Sequence, residues 1–452
     1  MIIEEGTDAW RADTIEELAE KAGLDPKALA ATVAEYNAEC EAGKDTWFGK
    51  DAEYLKPIAT PPFYMGMIHE AMEGPLGGVV MAHFGDKFGR KNMFMLSIAL
   101  MVIPTFSLAV IPTYETIGYA APLFLILVRI CQGLAIGGEL PGAWVFIHEH
   151  APAGHKNAFV GFLTGCVTGG ILLGSFVALL MNFIYTPAEL SDWAWRVPFV
   201  IGGVFGLISI YLRRFLQETP VFKKMRESKA LAKFPLEEVV KTSRFGIWIS
   251  MFITWVLTGC IVVFILLMPG FVGGVLGFSP FETTYFQMGG LVCIVSSCWL
   301  TGRLADKHNP STLCILFSAG FAVSSVAFFS LLYTAAPVVS EVVLAYFATC
   351  FFAGIMNFCP IFMCDVFPAR IRFSGISFAY NIAYALSGAF TPQLSFALHA
   401  YAKTHPDTLG AMGLSAYIVF LALVSIGTAL AMRRVYKNGG AAVSQMEFRP
   451  AP

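Results

Sequence analysis

An all-α, polytopic membrane fold is predicted by three observations. Of the 452 residues, 56% are hydrophobic and 14% charged, giving a mean hydropathy of +0.65. A water-soluble chain of this size has too small an interior to hide that balance. The apolar residues also gather into long runs, approximately 93–113, 119–147, 158–184, 195–212, 246–270, 282–302, 312–334, 338–366, 373–399 and 411–432. Most reach the roughly 20 residues that a helix needs to cross a bilayer. Finally, from residue 85 onward, lysine and arginine fall almost wholly in every second gap between runs.

The first 64 residues have a different composition. Thr14-Ile15-Glu16-Glu17 is a capping box that opens a short helix. Asp25-Pro26, an N-cap residue before proline, opens a second helix running to about Asn37, with Leu29, Val33 and Tyr36 on one face. The start is acidic and has no apolar h-region, so no signal peptide is read there. Through residues 14–19, 32–37, Gly43-Lys44-Asp45, Phe48-Gly49-Lys50 and Pro57–Tyr64, this segment resembles the C-terminal end of FAD-dependent fumarate reductase and 3-ketosteroid dehydrogenase flavoproteins. That family holds FAD on a Rossmann domain, and no strand followed by GxGxxG is present. The expectation is a short helical remnant without redox activity and without a cofactor. Residues 65–84 carry only half a span, Gly74 to Phe84, just after His69, Glu70 and Glu73. A carboxylate in the membrane centre is costly, so both a spanning and a non-spanning reading fit this piece poorly.

The basic gaps fix orientation. One set holds Lys87, Arg90 and Lys91; Lys156; a cluster from Arg213 through Lys233 to Arg244; Arg303 and Lys307; Arg370 and Arg372; and Arg433, Arg434 and Lys437. The opposite set holds Lys403 alone. By the positive-inside rule the basic set and the C-terminus face the cytoplasm, in the inner membrane of the cell. The expected division is a head (1–64), a first transmembrane bundle (65–212), a cytoplasmic central loop (213–245), a second bundle (246–434) and a tail (435–452). The net charge of −2 says nothing about partners, because the basic clusters belong to topology. Nine of the ten cysteines sit in or near apolar runs and no CxxC occurs, which reads as packing without disulfides or metal.

Ala82-His83-Phe84-Gly85-Asp86-Lys87-Phe88-Gly89-Arg90-Lys91 resembles the signature loop of the major facilitator superfamily between its second and third helices. Glycine permits a tight turn, and Asp86 can pair with basic groups or cap a neighbouring helix. The family's first position is usually glycine; Ala82 here implies weaker helix contact. A degenerate copy, Gly302-Arg303-Leu304-Ala305-Asp306-Lys307, stands at the equivalent place in the second half and ends in His308-Asn309-Pro310. Repeated halves about a basic connection match a two-bundle transporter. Arg129-Ile130-Cys131-Gln132-Gly133 with Gly137-Gly138-Glu139, Trp195–Phe199, Glu218–Phe222, Phe367–Arg372 and Tyr380–Ala383 are similar to markers of the metabolite:proton symporters of that superfamily. This group carries α-ketoglutarate, citrate, shikimate and proline or betaine. Aligned so, about eleven of twelve helices are expected, the family's first being absent.

The resemblance implies a monomeric secondary transporter that takes up a small organic acid or zwitterion with protons by alternating access. No nucleic-acid partner and no enzymatic activity are expected. Arg129 and Glu139 share nearly one helix face, ten residues or roughly 15 Å apart, too far to pair directly. Either each bonds a neighbouring helix, or Arg129 attracts the substrate anion and Glu139 takes part in proton coupling. Gln132, Asn357 and Asn381 are further candidates, as cavity-lining groups or as bridges between helices. Gly85, Asp86, Lys87, Gly89, Arg90, Lys91, Glu149, Asp306 and Arg370 are candidates for the gating charges. Gly165, Gly169, Gly170 and Gly174 read as a face for close helix packing. The competing readings are a membrane-tethered flavin oxidoreductase fragment and a transport-inactive fusion product.

Overall fold

The computed structural model describes residues 9–21, 25–43, 56–61, 63–66, 73–118, 120–228, 232, 234–334, 336–404 and 412–437. Lys44-Asp45, Phe48-Gly49-Lys50, His69, Glu70, Lys229, Lys233 and the tail beyond 437 lie outside them, as do the side chains of Glu73 and Lys403. Residues 1–70 and 71–452 form two compact units.

The first unit is not purely helical. Strand β1 (Ala9–Ala12) pairs antiparallel with β2 (Phe63–Gly66), Ala9 opposite Gly66 and Ala12 opposite Phe63. Between them lie α1 (Ile15–Lys21) and α2 (Pro26–Ala42). The Thr14 hydroxyl accepts from the Glu17 amide at 3.1 Å, and the Asp25 carboxylate accepts from the Lys27 amide at 2.9 Å. Helix α2 runs five residues beyond Asn37, because nothing in Ala38–Ala42 breaks it until Gly43 turns left-handed at φ 65°. Asn37 instead clamps the extended return: its side chain bonds both the carbonyl (3.0 Å) and the amide (2.7 Å) of Ile58.

The second unit starts with α3 (Glu73–Phe88) and α4 (Arg90–Val110), joined by Gly89 alone. α5 (Ala120–His150), α6 (Lys156–Ile184) and α7 (Val197–Arg213) complete the first half. Two short helices, α8 (Pro220–Glu227) and α9 (Pro235–Thr242), lie in the basic connection. The second half comprises α10 (Arg244–Leu276), α11 (Pro280–Lys307), α12 (Pro310–Leu332), α13 (Val339–Val366), α14 (Arg372–Thr404) and α15 (Gly413–Lys437). Among the described residues, nine helices are long and apolar enough to cross a membrane; α3, with 16 residues, and α14, with 33, stand beside them. All the basic gaps fall at one end of this array, called here the basic end.

At the opposite end the connections are closed by local caps. Thr186 with Glu189 and Ser279 with Glu282 form reciprocal capping boxes. At the basic end, Asn309 caps α12 by accepting from the Ser311 amide at 2.9 Å. The departure from the family pattern at His308-Asn309-Pro310 is therefore a helix start.

Proline shapes the long helices. Pro269 has no amide to give the Ile265 carbonyl four residues back. The chain relaxes into a π-helical stretch, Ile261–Leu267, and the Gln287 side chain donates to Ile265 O at 2.9 Å. Tyr346 donates to the adjacent Phe264 carbonyl at 2.8 Å. In hydrocarbon such freed carbonyls need side-chain donors. Pro141 acts likewise in α5, freeing Gly137 O, which takes the Asn381 amide of α14 at 2.9 Å.

The core is lopsided. Its continuous cluster is built mostly from α10 to α15, with Ala82, Trp144, Val145 and Val160 among the few first-half members. Two-thirds of the apolar stretch of α10 is buried (67%), against 11% for α6.

Two expectations about small residues change. Ala82 makes a close contact after all: it is fully buried and its carbonyl accepts from the Ser374 hydroxyl at 3.3 Å. Gly169, Gly170 and Gly174 have open space where a side chain would begin. Gly165 packs closely as expected, since a Cβ there would strike Trp299, and the contact continues one turn earlier, where a Cβ on Gly161 would strike Gly302 and the Cys298 carbonyl.

Candidate functional site

Two features carry chemistry: a buried charge network at the basic end, and a polar strip on α5. The network draws one group from each of four helices. Arg90 at the start of α4 pairs with Asp86 of α3 at 3.3 Å and with Glu149 of α5, and it donates to the Ala369 carbonyl at 2.5 Å. Arg372 at the start of α14 donates to the other oxygen of Glu149 at 3.0 Å. Asp86, Arg90, Glu149 and Arg372 are each under 9% exposed. Two carboxylates thus face two guanidiniums in a nearly dry site, where each charge depends on the others.

Asp86 and two carboxylates outside this network, Asp306 and Glu218, also finish helix starts. Asp86 accepts from the Ser374 amide at 2.8 Å, in the first turn of α14. Asp306, at the matching place in α11, accepts from the Asn157 and Ala158 amides, both at 2.9 Å. His155, before α6, makes no side-chain cap, so Asp306 supplies it from 149 residues away. Both carboxylates sit at the positive end of a helix dipole belonging to the other half. Glu218 does this for α4, accepting from the Lys91 amide at 3.2 Å. Gly89 makes room: its φ is 120°, and a Cβ there would press on the Glu218 carboxylate. Gly85 opens a notch for the ring of Phe373, as Gly142 does from α5.

Further out, Arg370 pairs with Glu238 of α9. Lys87 lies 6.0 Å from the centre of the Phe234 ring. His148 stands 3.7 Å from Asp365, which also accepts from the Tyr436 hydroxyl at 2.7 Å. Sequence reading named Asp86, Arg90, Glu149, Asp306 and Arg370 but missed the parts of Glu218, Arg372 and Glu238. Glu218 leads a recognised marker, and Arg372 ends another. Neither spacing says which amide or carboxylate each meets.

On α5, Arg129 and Glu139 do not meet. Glu139 pairs with Arg213 of α7 at 3.0 Å, and that guanidinium lies 3.9 Å over the Phe94 ring. Arg129 is exposed in the protein and donates to the Gln132 side chain at 3.1 Å. Gln132 in turn donates to the Thr105 hydroxyl at 2.9 Å. Among the described residues Arg129 has no carboxylate partner. Asn357 and Asn381 are buried bridges: Asn357 donates to Cys298 O and Thr301 Oγ1, and Asn381 to Gly137 O and Ser377 O. No cluster of metal-ligating side chains occurs among the described residues.

Two helical halves about a basic connection, closed by ion pairs at one end and holding an arginine within an apolar helix, have the build of a secondary transporter. The model of the Major Facilitator Superfamily matches residues 74–392, and the chain belongs to that superfamily. It is 31% identical to the inner membrane metabolite transport protein YhjE of Escherichia coli, over 75% of this chain and 77% of that one. It is 30% identical to the proline/betaine transporter of E. coli, over 71% of this chain and 66% of that one. In fold it is similar to the proton:xylose symporter XylE, with a TM-score of 0.66 at 18% identity, over 80% of this chain and 83% of that one.

Proposed function

We propose that this chain is a proton-coupled carrier of a small organic anion or a carboxylate-bearing zwitterion, working by alternating access. The observation that carries this reading is Arg129, a permanent cation about a third of the way along α5 whose partner is a neutral amide. Guanidinium keeps its proton and has further donors free for a carboxylate. The names of the relatives, metabolite and proline/betaine carriers, agree with such a substrate. The charge network of Asp86, Arg90, Glu149 and Arg372 acts as the gate, faces the cytoplasm with the C-terminal tail, and is shut in this conformation. Glu139, held by Arg213, is the group offered for proton coupling, and the chain works as a monomer. The head, residues 1–64, is read as a flavoprotein-like remnant with no redox part. Among the described residues the first half shows no counterpart of α10, which supports reading the chain as lacking the family's first helix.

The test is uptake of labelled dicarboxylates and betaines into proteoliposomes, with and without an inward proton gradient. Uptake that rises with the gradient and falls at least tenfold in Arg129→Gln, at unchanged melting temperature, supports the proposal. Uptake indifferent to the gradient removes proton coupling. Folded protein that moves no substrate in either condition, or that carries bound flavin, defeats it.

A further inference from the structure

Beside the crossing of α6 and α11 lies a cavity of about 400 Å³, lined by Ala158, Phe159 and Phe162 from the first half and by Trp299 and Arg303 from the second. Phe162 stacks on Trp299, with ring centres 5.4 Å apart. Phe159, Phe162 and Trp299 all remain more than 40% exposed, so the apolar floor of the groove is open. Arg303 stands at its basic end with no hydrogen-bond or ion-pair partner among the described residues. The carboxylate nearest in sequence, Asp306, is engaged in capping α6. Lys307 follows Arg303 by one helical turn, and Lys156 opens α6; both are exposed. The three cations Lys156, Arg303 and Lys307 outnumber the Asp306 carboxylate there, so the local charge is positive in the last turns of α11.

We propose that this groove is a binding site for an anionic phospholipid of the leaflet at the basic end. The phosphate pairs with Arg303, while an acyl chain lies along Phe159, Phe162 and Trp299. The complementarity is of charge at the mouth and of apolar surface below it, with tryptophan at the interfacial depth it favours. A neutral soluble ligand has no use for the arginine, and a free anion none for the aromatic floor. Because its two walls belong to different halves, the groove exists only while α6 and α11 are held together at Gly161 and Gly302. A lipid seated across it binds one conformation in preference to the other and shifts the balance towards a closed basic end.

The experiment titrates purified full-length protein in detergent with phosphatidylglycerol or with phosphatidylcholine. It reads the melting temperature and the number of lipids retained by native mass spectrometry. Phosphatidylglycerol is expected to raise the melting temperature by several degrees and to be retained at about one tightly held copy, phosphatidylcholine to do neither. Arg303→Gln is expected to weaken this response at least tenfold in apparent affinity, Arg303→Lys to keep most of it, and Trp299→Leu to weaken it too. Arg303 is exposed and unpaired, so melting of each variant in phosphatidylcholine checks that folding is intact. Equal retention by Arg303→Gln, an equal shift from phosphatidylcholine, or a full shift from glycerol 3-phosphate alone would each overturn the assignment.

Discussion

Glu149 joins the guanidiniums of Arg90 and Arg372, Asp86 pairs with Arg90, and all four groups are nearly inaccessible to water. Removing one member of a buried ion pair costs about 3–5 kcal/mol, because the charge left behind is not rehydrated. Glu149→Gln is expected to lower the melting temperature of the detergent-solubilised protein markedly and to make cysteines placed at Phe373 or Ser374 reactive to water-soluble thiol reagents. A variant that melts like the parent would show that the guanidiniums have found other partners. Gly89 is the second sensitive position, since a side chain there meets both a left-handed backbone and the Glu218 carboxylate. Gly89→Ala is expected to destabilise by about 1–3 kcal/mol, with a smaller loss in a Glu218→Gln background, measured as a double-mutant cycle. That Glu149 belongs with the basic residues was legible from its place at a helix end between two histidines. The part played by Glu218 was not, because a carboxylate's target amide depends on tertiary approach and leaves no mark in local sequence.

At the scale of elements, the helices are joined by groups that repair each other's defects. Pro141 and Pro269 each strip a carbonyl of its helical donor, and Asn381 and Gln287 from neighbouring helices replace it. Asn381→Ala is expected to cost about 1–3 kcal/mol, the penalty of an orphaned buried acceptor. Much less is expected when Pro141→Ala has already restored the helical bond. Equal losses in both backgrounds would mean that Asn381 acts through Ser377 alone. The start of α6 offers a parallel test. Asp306→Asn weakens the cap on two amides by about 1 kcal/mol, so the amides of Asn157 and Ala158 are expected to exchange with deuterium faster while mid-helix amides do not. Helix positions were readable because apolar runs and turn residues are local, and the Asp25 cap sits beside the helix it serves, whereas Asn309 was read only as a departure from the family motif. The strand pair at Ala9–Ala12 and Phe63–Gly66 was hidden, since four-residue segments more than 50 positions apart carry too little pattern to be matched. Of the small-residue face only Gly165 is touched, and Gly161 one turn earlier was missed, for a related reason: spacing shows which glycines share a face, and only the partner helix shows which of them is touched.

For the whole molecule, charge distribution and hydropathy were enough to expect a polytopic membrane protein. The two-bundle arrangement was implied by the resemblance of residues 82–91 and 302–307 to the superfamily's signature loop, and membership of the major facilitator superfamily rests on residues 74–392. The direction of insertion is tested by placing a cysteine at exposed Ser228 in the basic connection and labelling sealed cells with an impermeant thiol reagent. Reaction is expected only after the cells are opened. Labelling from outside would invert the proposed topology and, with it, the side on which the charge network shuts. The uneven core is a property that no local pattern announced. α6 and α7 present long apolar faces with little protein behind them, whereas α10 is wrapped on most sides.

Two helix beginnings, those of α6 and α14, are completed by acids from the opposite half. Parting the halves at that end strands the Asn157, Ala158 and Ser374 amides and takes from both acids the amides they cap, although Asp86 keeps Arg90, and incoming solvent must replace those bonds. Opening is therefore a wetting event, whose equilibrium depends on the activity of water. Solutes too large to enter the crevice are expected to hold it shut, slowing uptake in proteoliposomes in proportion to osmotic pressure rather than to viscosity.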